Sequence, residues 1–120
     1  MNSRATALCA NRQRVVVVTT DSIEIYSLQT MKAIHSIGGL RCGHPAAAIS
    51  VDGDKSLLAY GVGGRVVLFD AIKLEAVGEV DAHENPVVVV ALSHGGEFLA
   101  TSSTRVASQH RAQLYVFFRR

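Results

Sequence analysis

Cysteine is scarce in this 120-residue chain, which holds only Cys9 and Cys42. They form no C-x-x-C pair and are too few for a disulfide framework, so a reducing compartment is the simplest expectation. An excess of charge of one sign is also missing: twelve Lys and Arg against ten Asp and Glu leave a formal net charge of +2, too mild to argue for nucleic acid as a partner. The longest uninterrupted apolar run, PVVVVAL, falls far short of the roughly 20 residues that a membrane helix needs. The N-terminal MNSRATALCANRQR has no apolar signal core of adequate length, and a soluble, cytosolic protein is expected. Five histidines and two cysteines include no close pair with zinc-type spacing, so neither a metal nor a cofactor is expected. No G-x-S-x-G elbow surrounds Ser102 or Ser103, which argues against a Ser-His-Asp nucleophile. GVGG (61–64) is followed by neither a lysine-serine pair nor a helix, and reads as a turn between strands, not a phosphate loop.

What is present is a globular composition, 48% hydrophobic and 18% charged, in a chain long enough for one small domain with a real core. Strand signals dominate. RVVVV, SIEIYSL, RVVLFD, PVVVVAL and QLYVFF are short, rich in β-branched and aromatic residues, and separated by the turn words TTDS, IGG, VDGD, GVGG and SHGG. VVVV at 15–18 and again at 87–90 is expected as core strand, with both faces covered by adjacent sheets. LQTMKAIHSI has the look of a short helix, but Met31, Ile34 and Ile37 also fit a strand after a turn.

Internal repetition decides the matter. IEIYSLQTMKAIHSI (23–37) aligns with VVLFDAIKLEAVGEV (66–80) at a constant offset of 43, matching Tyr26 to Phe69, Met31 to Leu74, Ile34 to Val77 and Ile37 to Val80. AISVDGDKSLLAY (48–60) aligns with ALSHGGEFLAT (91–101), with a two-residue gap after the turn. Each repeat is about 40 residues of strands separated by turns, the pattern of a four-stranded antiparallel β-propeller blade. The expected fold is all-β: an incomplete propeller in a single domain over 1–120, with blades at about 5–39, 40–80 and 81–120. A small β-sandwich is the competing reading. Since propellers close with about four blades or more, three blades leave an open arc with two bare sheet faces. That implies a piece of a longer propeller, a truncated product, or a unit that assembles with another piece.

The words themselves resemble one family. NRQRVVVVTTDSIEIYSLQTMKAIHSI (11–37), LLAYGVGGRVVLFDAIKLEAV (57–77), DAHENPVVVVALSHGGEFLATSS (81–103) and AQLYVFFRR (112–120) are similar, in that order, to successive blades of the PROPPIN family, the phosphoinositide-binding WD-repeat-like propellers of autophagy that include the WIPI proteins. The last segment resembles the approach to that family's F-R-R-G signature. The resemblance implies a non-enzymatic protein that binds phosphatidylinositol 3-phosphate and the 3,5-bisphosphate at two rim pockets. It would act with autophagy proteins from the cytoplasm, as a peripheral protein of autophagic, endosomal or vacuolar membranes. Arg119 matches the first signature arginine and Arg120 the second. His83, Ser103 and Thr104 match positions lining the pocket on the Arg119 side. Neighbouring strand residues point to opposite faces, which suits one arginine per pocket, and arginine gives phosphate bidentate, charge-assisted hydrogen bonds.

The sequence departs from the pattern in places. The signature glycine is missing after Arg120, about five residues are missing after Ser103, and Ala107 stands where an aromatic is expected, so the last blade is expected to be poorly formed.

Several residues keep two readings. His83 is either a phosphate ligand or the blade-opening histidine of WD-like repeats, hydrogen-bonded inside its own blade. His44 is expected as a structural or loop residue, and His35, at the repeat position of Gly78, as a solvated or partly buried strand residue. Four arginines fall in the last sixteen residues, a local excess able to draw anions; taken alone, Arg119 and Arg120 read equally as a solvated basic tail. A WD-repeat interaction scaffold without lipid binding, or a non-functional truncated product, stands as the alternative function.

Overall fold

The computed structural model describes residues 5–40, 46–51, 56–95, 97–103 and 111–116. Every regular element among them is a strand. The first sheet runs β1 (Ala5–Ala10), β2 (Arg14–Thr19), β3 (Ile23–Ser27) and β4 (Ala33–Ile37) in chain order. The second follows as β5 (Ala47–Ile49), β6 (Leu57–Val62), β7 (Arg65–Asp70) and β8 (Glu75–Asp81). The third contains β9 (Val87–Leu92), β10 (Phe98–Ser103) and β11 (Arg111–Val116), three strands among the described residues. All neighbours are antiparallel.

Alternating side chains make the sheets stack. Val16 and Val18 of β2 and Ile23 and Ile25 of β3 are fully buried against Leu58, Tyr60 and Phe69 of the second sheet. On the other face of that sheet, Leu57, Ala59, Val66 and Leu68 pack against Val87, Val90 and Leu99 of the third. The run LLAY in β6 is therefore buried on both sides, which is why it shows no polar alternation. Each fully buried Leu or Ile contributes about 1.5–3 kcal/mol, so the two inter-sheet cores carry most of the driving force. The first strand of each sheet lies innermost, with β5 against both β1 and β9, and a groove of about 320 Å³ opens between them beside Thr6, Ala47 and Val89. This is an arc of β-propeller blades.

The 43-residue offset extends to backbone detail. Met31 (φ 59°) and Leu74 (φ 60°) both take the left-handed conformation that ordinary side chains avoid. Each closes the same turn, with the Met31 N–H donating to the Ser27 carbonyl and the Leu74 N–H to the Asp70 carbonyl, both at 2.7 Å. The strand that follows is bulged at Ile34 in one sheet and at Val77 in the other, again 43 residues apart. The two-residue gap also has a structural counterpart. Ser50 and Leu57, seven apart, close the β5–β6 hairpin through the Ser50 hydroxyl, and Ser93 and Phe98, five apart, close the β9–β10 hairpin in the same way. LQTMKAIHSI is a turn followed by β4, not a helix.

NRQR is a latch between the first two sheets. The Asn11 carboxamide oxygen accepts the N–H groups of Gln13 and Arg14. Its Nδ2 donates across the interface to the Ser50 carbonyl (2.9 Å) and the Ser56 hydroxyl (2.8 Å). Arg14 Nε donates to the Ala71 carbonyl, also 2.9 Å. His35 stacks on Phe69 with ring centroids 5.3 Å apart, joining the same two sheets from β4.

The valines at 87–90 depart from expectation. Val87 and Val90 are buried, but Val88 and Val89 are 41% and 55% exposed. The cause is a bulge: β9 pairs Val89 with Ser102 and Val87 with Ser103, leaving Val88 unmatched. The extra residue resets the alternation, so that Val87 and Val90 both reach the second sheet. At 15–18, Val16 and Val18 are buried, whereas Val15 and Val17 are only half-buried on the far face of the first sheet.

Candidate functional site

His83 is held through its backbone by the second sheet's β6–β7 turn and through its side chain by its own sheet. GVGG places Gly63 at φ +61° and turns two carbonyls toward the segment that leads into β9. The Gly64 carbonyl accepts the N–H groups of Ala82 (3.0 Å) and His83 (2.9 Å), and the Gly63 carbonyl accepts that of Val87 (2.7 Å). The approach is so close that a Cβ on Gly64 would run into the His83 carbonyl oxygen. The imidazole then turns inward, with Nε2 2.8 Å from Thr101 Oγ1. Thr101 is only 3% exposed, in the middle of β10. A buried hydroxyl needs such a partner, and either atom is able to donate, depending on the imidazole tautomer.

Ser103 is the last residue of β10, paired with Val87 on one side and Arg111 on the other. The structure thus brings His83 and Ser103 to the same end of the third sheet. The strand that precedes the arginine pair runs the other way. β11 starts opposite Ser103 at Arg111 and finishes at Val116, opposite Phe98. Thr104, Arg119 and Arg120 lie outside the described residues, as do Ala107 and His44.

The charges near His83 on the described residues are mostly acidic. Asp81 and Glu79 both engage the Arg65 guanidinium, at 3.3 and 3.4 Å, and Glu84 is exposed. An anion at this end of the arc therefore depends on cations supplied from elsewhere in the chain. Burial pushes the Cys9 thiol up to about 11, which disfavours the thiolate at neutral pH. Among the described residues, no three His, Cys, Asp or Glu side chains come together as metal ligands, and no helix is long and apolar enough to cross a membrane.

Thr101 as the partner of His83, Gly64 as its backbone support and the Asn11–Arg14 latch were not singled out by residue type. For Thr101 a signal exists: it stands two residues before Ser103 in the same LATSS run.

Comparison with known proteins places this geometry in context. The PROPPIN family model matches residues 1–120. "Autophagy-related protein 18" of Aspergillus clavatus is 30% identical over 124 residues, covering 82% of this chain and 30% of the relative. "WD repeat domain phosphoinositide-interacting protein 2" of Gallus gallus is 35% identical over 104 residues, covering 82% of this chain and 24% of the relative. The chain thus spans less than a third of the length of either relative. Among solved structures, the computationally designed Ika4 protein superposes with a TM-score of 0.73 over 95% of this chain and 66% of its own, at 14% identity, a likeness of fold alone.

Proposed function

This chain belongs to the PROPPIN family, and from that premise we propose that it is a phosphoinositide-binding propeller unit acting in autophagy and membrane trafficking. Its ligands are phosphatidylinositol 3-phosphate and the 3,5-bisphosphate, recognised without catalysis from the cytoplasmic side of autophagic, endosomal or vacuolar membranes. The observation that carries the reading is the family match through the Arg119-Arg120 pair, joined by a relative whose name is itself phosphoinositide-interacting. In this reading Arg119 and Arg120 supply the charge. His83, Ser103 and Thr104 supply further hydrogen bonds, and autophagy proteins are the partners.

Vesicle flotation of the 120-residue chain tests it. Binding is expected with phosphatidylinositol 3-phosphate vesicles, is absent with unphosphorylated phosphatidylinositol, and weakens as salt rises. Changing both Arg119 and Arg120 to Thr is expected to weaken binding about tenfold or more, since a charge-assisted hydrogen bond contributes about 1.5–3 kcal/mol. Equal flotation on both vesicle types, or full binding by the double variant, overturns the reading.

The His83–Thr101 hydrogen bond favours a second reading, a WD-like interaction scaffold in which His83 is structural. Under it, His83→Ala lowers stability and leaves vesicle selectivity unchanged.

A further inference from the structure

Thr101 carries a hydroxyl proton into the interior of the third sheet, and its surroundings decide where that proton goes. The residue sits in the middle of β10, paired with Val90 on one side and Gln113 on the other, and is buried. Among the described residues, the one side-chain hydrogen bond at Thr101 Oγ1 is that with His83 Nε2, at 2.8 Å. Were Nε2 to donate, the Thr101 proton would be left buried without an acceptor, an arrangement that folded proteins avoid. The hydroxyl therefore donates to Nε2, and the neutral imidazole keeps its own proton on Nδ1. Nδ1 has no hydrogen-bond partner among the described residues, and no buried side-chain nitrogen among them lacks one, so Nδ1 meets solvent. The ring is held in this arrangement from both ends. Its backbone is tied to the β6–β7 turn through the Gly64 and Gly63 carbonyls, and the β-branched Thr101 side chain is stiff about its first torsion.

We propose that Thr101 is a positioning residue for phosphoinositide recognition: by holding the proton of His83 on Nδ1, it makes the ring present an N–H donor to a phosphate oxygen of the headgroup. The proposal rests on the reading of His83 as a phosphate ligand given above. An ionised phosphate oxygen only accepts hydrogen bonds. It is repelled by an outward lone pair on the ring and gains a charge-assisted hydrogen bond from an outward N–H. The tautomer therefore decides whether His83 attracts a phosphate at all, and Thr101 sets the tautomer. The donor also works without a charge on the ring, which suits a neighbourhood whose described charges are mostly acidic. Asp81 and Glu84 flank His83 in sequence, and the Arg65 guanidinium is already engaged by Glu79 and Asp81. A bond inside the blade and a contact with a ligand thus use opposite nitrogens of one ring, and neither displaces the other.

Two measurements on the full chain test this, with circular dichroism to confirm that each variant retains its strands. Long-range proton–nitrogen NMR in alkaline buffer, where the ring is neutral, is expected to show His83 as the Nδ1–H tautomer. Thr101→Val keeps the side chain's shape without its proton and is expected to release the ring to a mixture of tautomers, while Thr101→Ser restores Nδ1–H. Titration with soluble short-chain phosphatidylinositol 3-phosphate is the second measurement. Thr101→Val is expected to bind about fivefold or more weakly than the native chain, and Thr101→Ser within about twofold of it. In a His83→Ala background, Thr101→Val is expected to cost no further affinity, because it acts through the ring; a general loosening of the sheet would still weaken binding there. An Nε2–H tautomer in the native chain, native-like binding by Thr101→Val, or a further loss in the His83→Ala background overturns the proposal and leaves the phosphoinositide reading standing. A native chain that does not bind the headgroup overturns that reading, and with it the ligand role of Nδ1.

Discussion

Gly64 and His83 meet through backbone atoms, and this sets what each position tolerates. His83 donates its N–H to the Gly64 carbonyl at 2.9 Å, while a Cβ at Gly64 would strike the His83 carbonyl. No side-chain rotation relieves a clash with backbone, so Gly64→Ala must push the 82–86 segment away from the turn. A cost of about 1–3 kcal/mol is expected, read as a lower midpoint in denaturant, together with loss of the His83–Thr101 hydrogen bond seen in the imidazole NMR shifts. Gly63 is the control. It needs a positive φ but has open space around it, so Gly63→Asn, which tolerates that conformation, is expected to cost less than about 1 kcal/mol. Equal effects at the two glycines would show that the close approach does not matter.

At the scale of elements, stacked sheets need more than apolar faces to fix their relative position, and the Asn11–Arg14 latch supplies directional bonds. Asn11→Ala removes two acceptor contacts within its own turn and two donor contacts to Ser50 and Ser56, both of which are buried. A loss of about 1–3 kcal/mol is expected in chemical denaturation. Asn11→Asp keeps the turn and loses only the cross-sheet donors, so its loss should fall between those of Ala and the native residue. An Asp variant as weak as Ala would mean that the cross-sheet contact, not the turn, is what matters. The strands themselves were legible because local pattern encodes them: the 43-residue offset carried through to the Met31 and Leu74 turns, the Ile34 and Val77 bulges and the Ser50 and Ser93 hairpins. The latch was not legible, because the partners of Asn11 and Arg14 are 39 to 57 residues away and periodicity is blind to them. Nor was the bulge at Val88, which depends on pairing with β10. Of the candidate site, the residue types of His83 and Ser103 were readable, but not the pairing that ends β10 at Ser103 opposite Val87.

For the whole molecule, stability is distributed as in a short stack of repeats, each sheet held by its neighbours. The middle sheet has a core on both faces and the outer two have one each. Opening β6 or β7 therefore disrupts both cores at once, whereas β4 frays from the edge of the first sheet with Ile34 already 36% exposed. Native-state hydrogen exchange should show this gradient. Amides of β6 and β7 are expected to exchange slowest, through global unfolding, and those of β4 fastest among the strands of the first two sheets. Protection that is uniform across the sheets would contradict the two-core architecture itself.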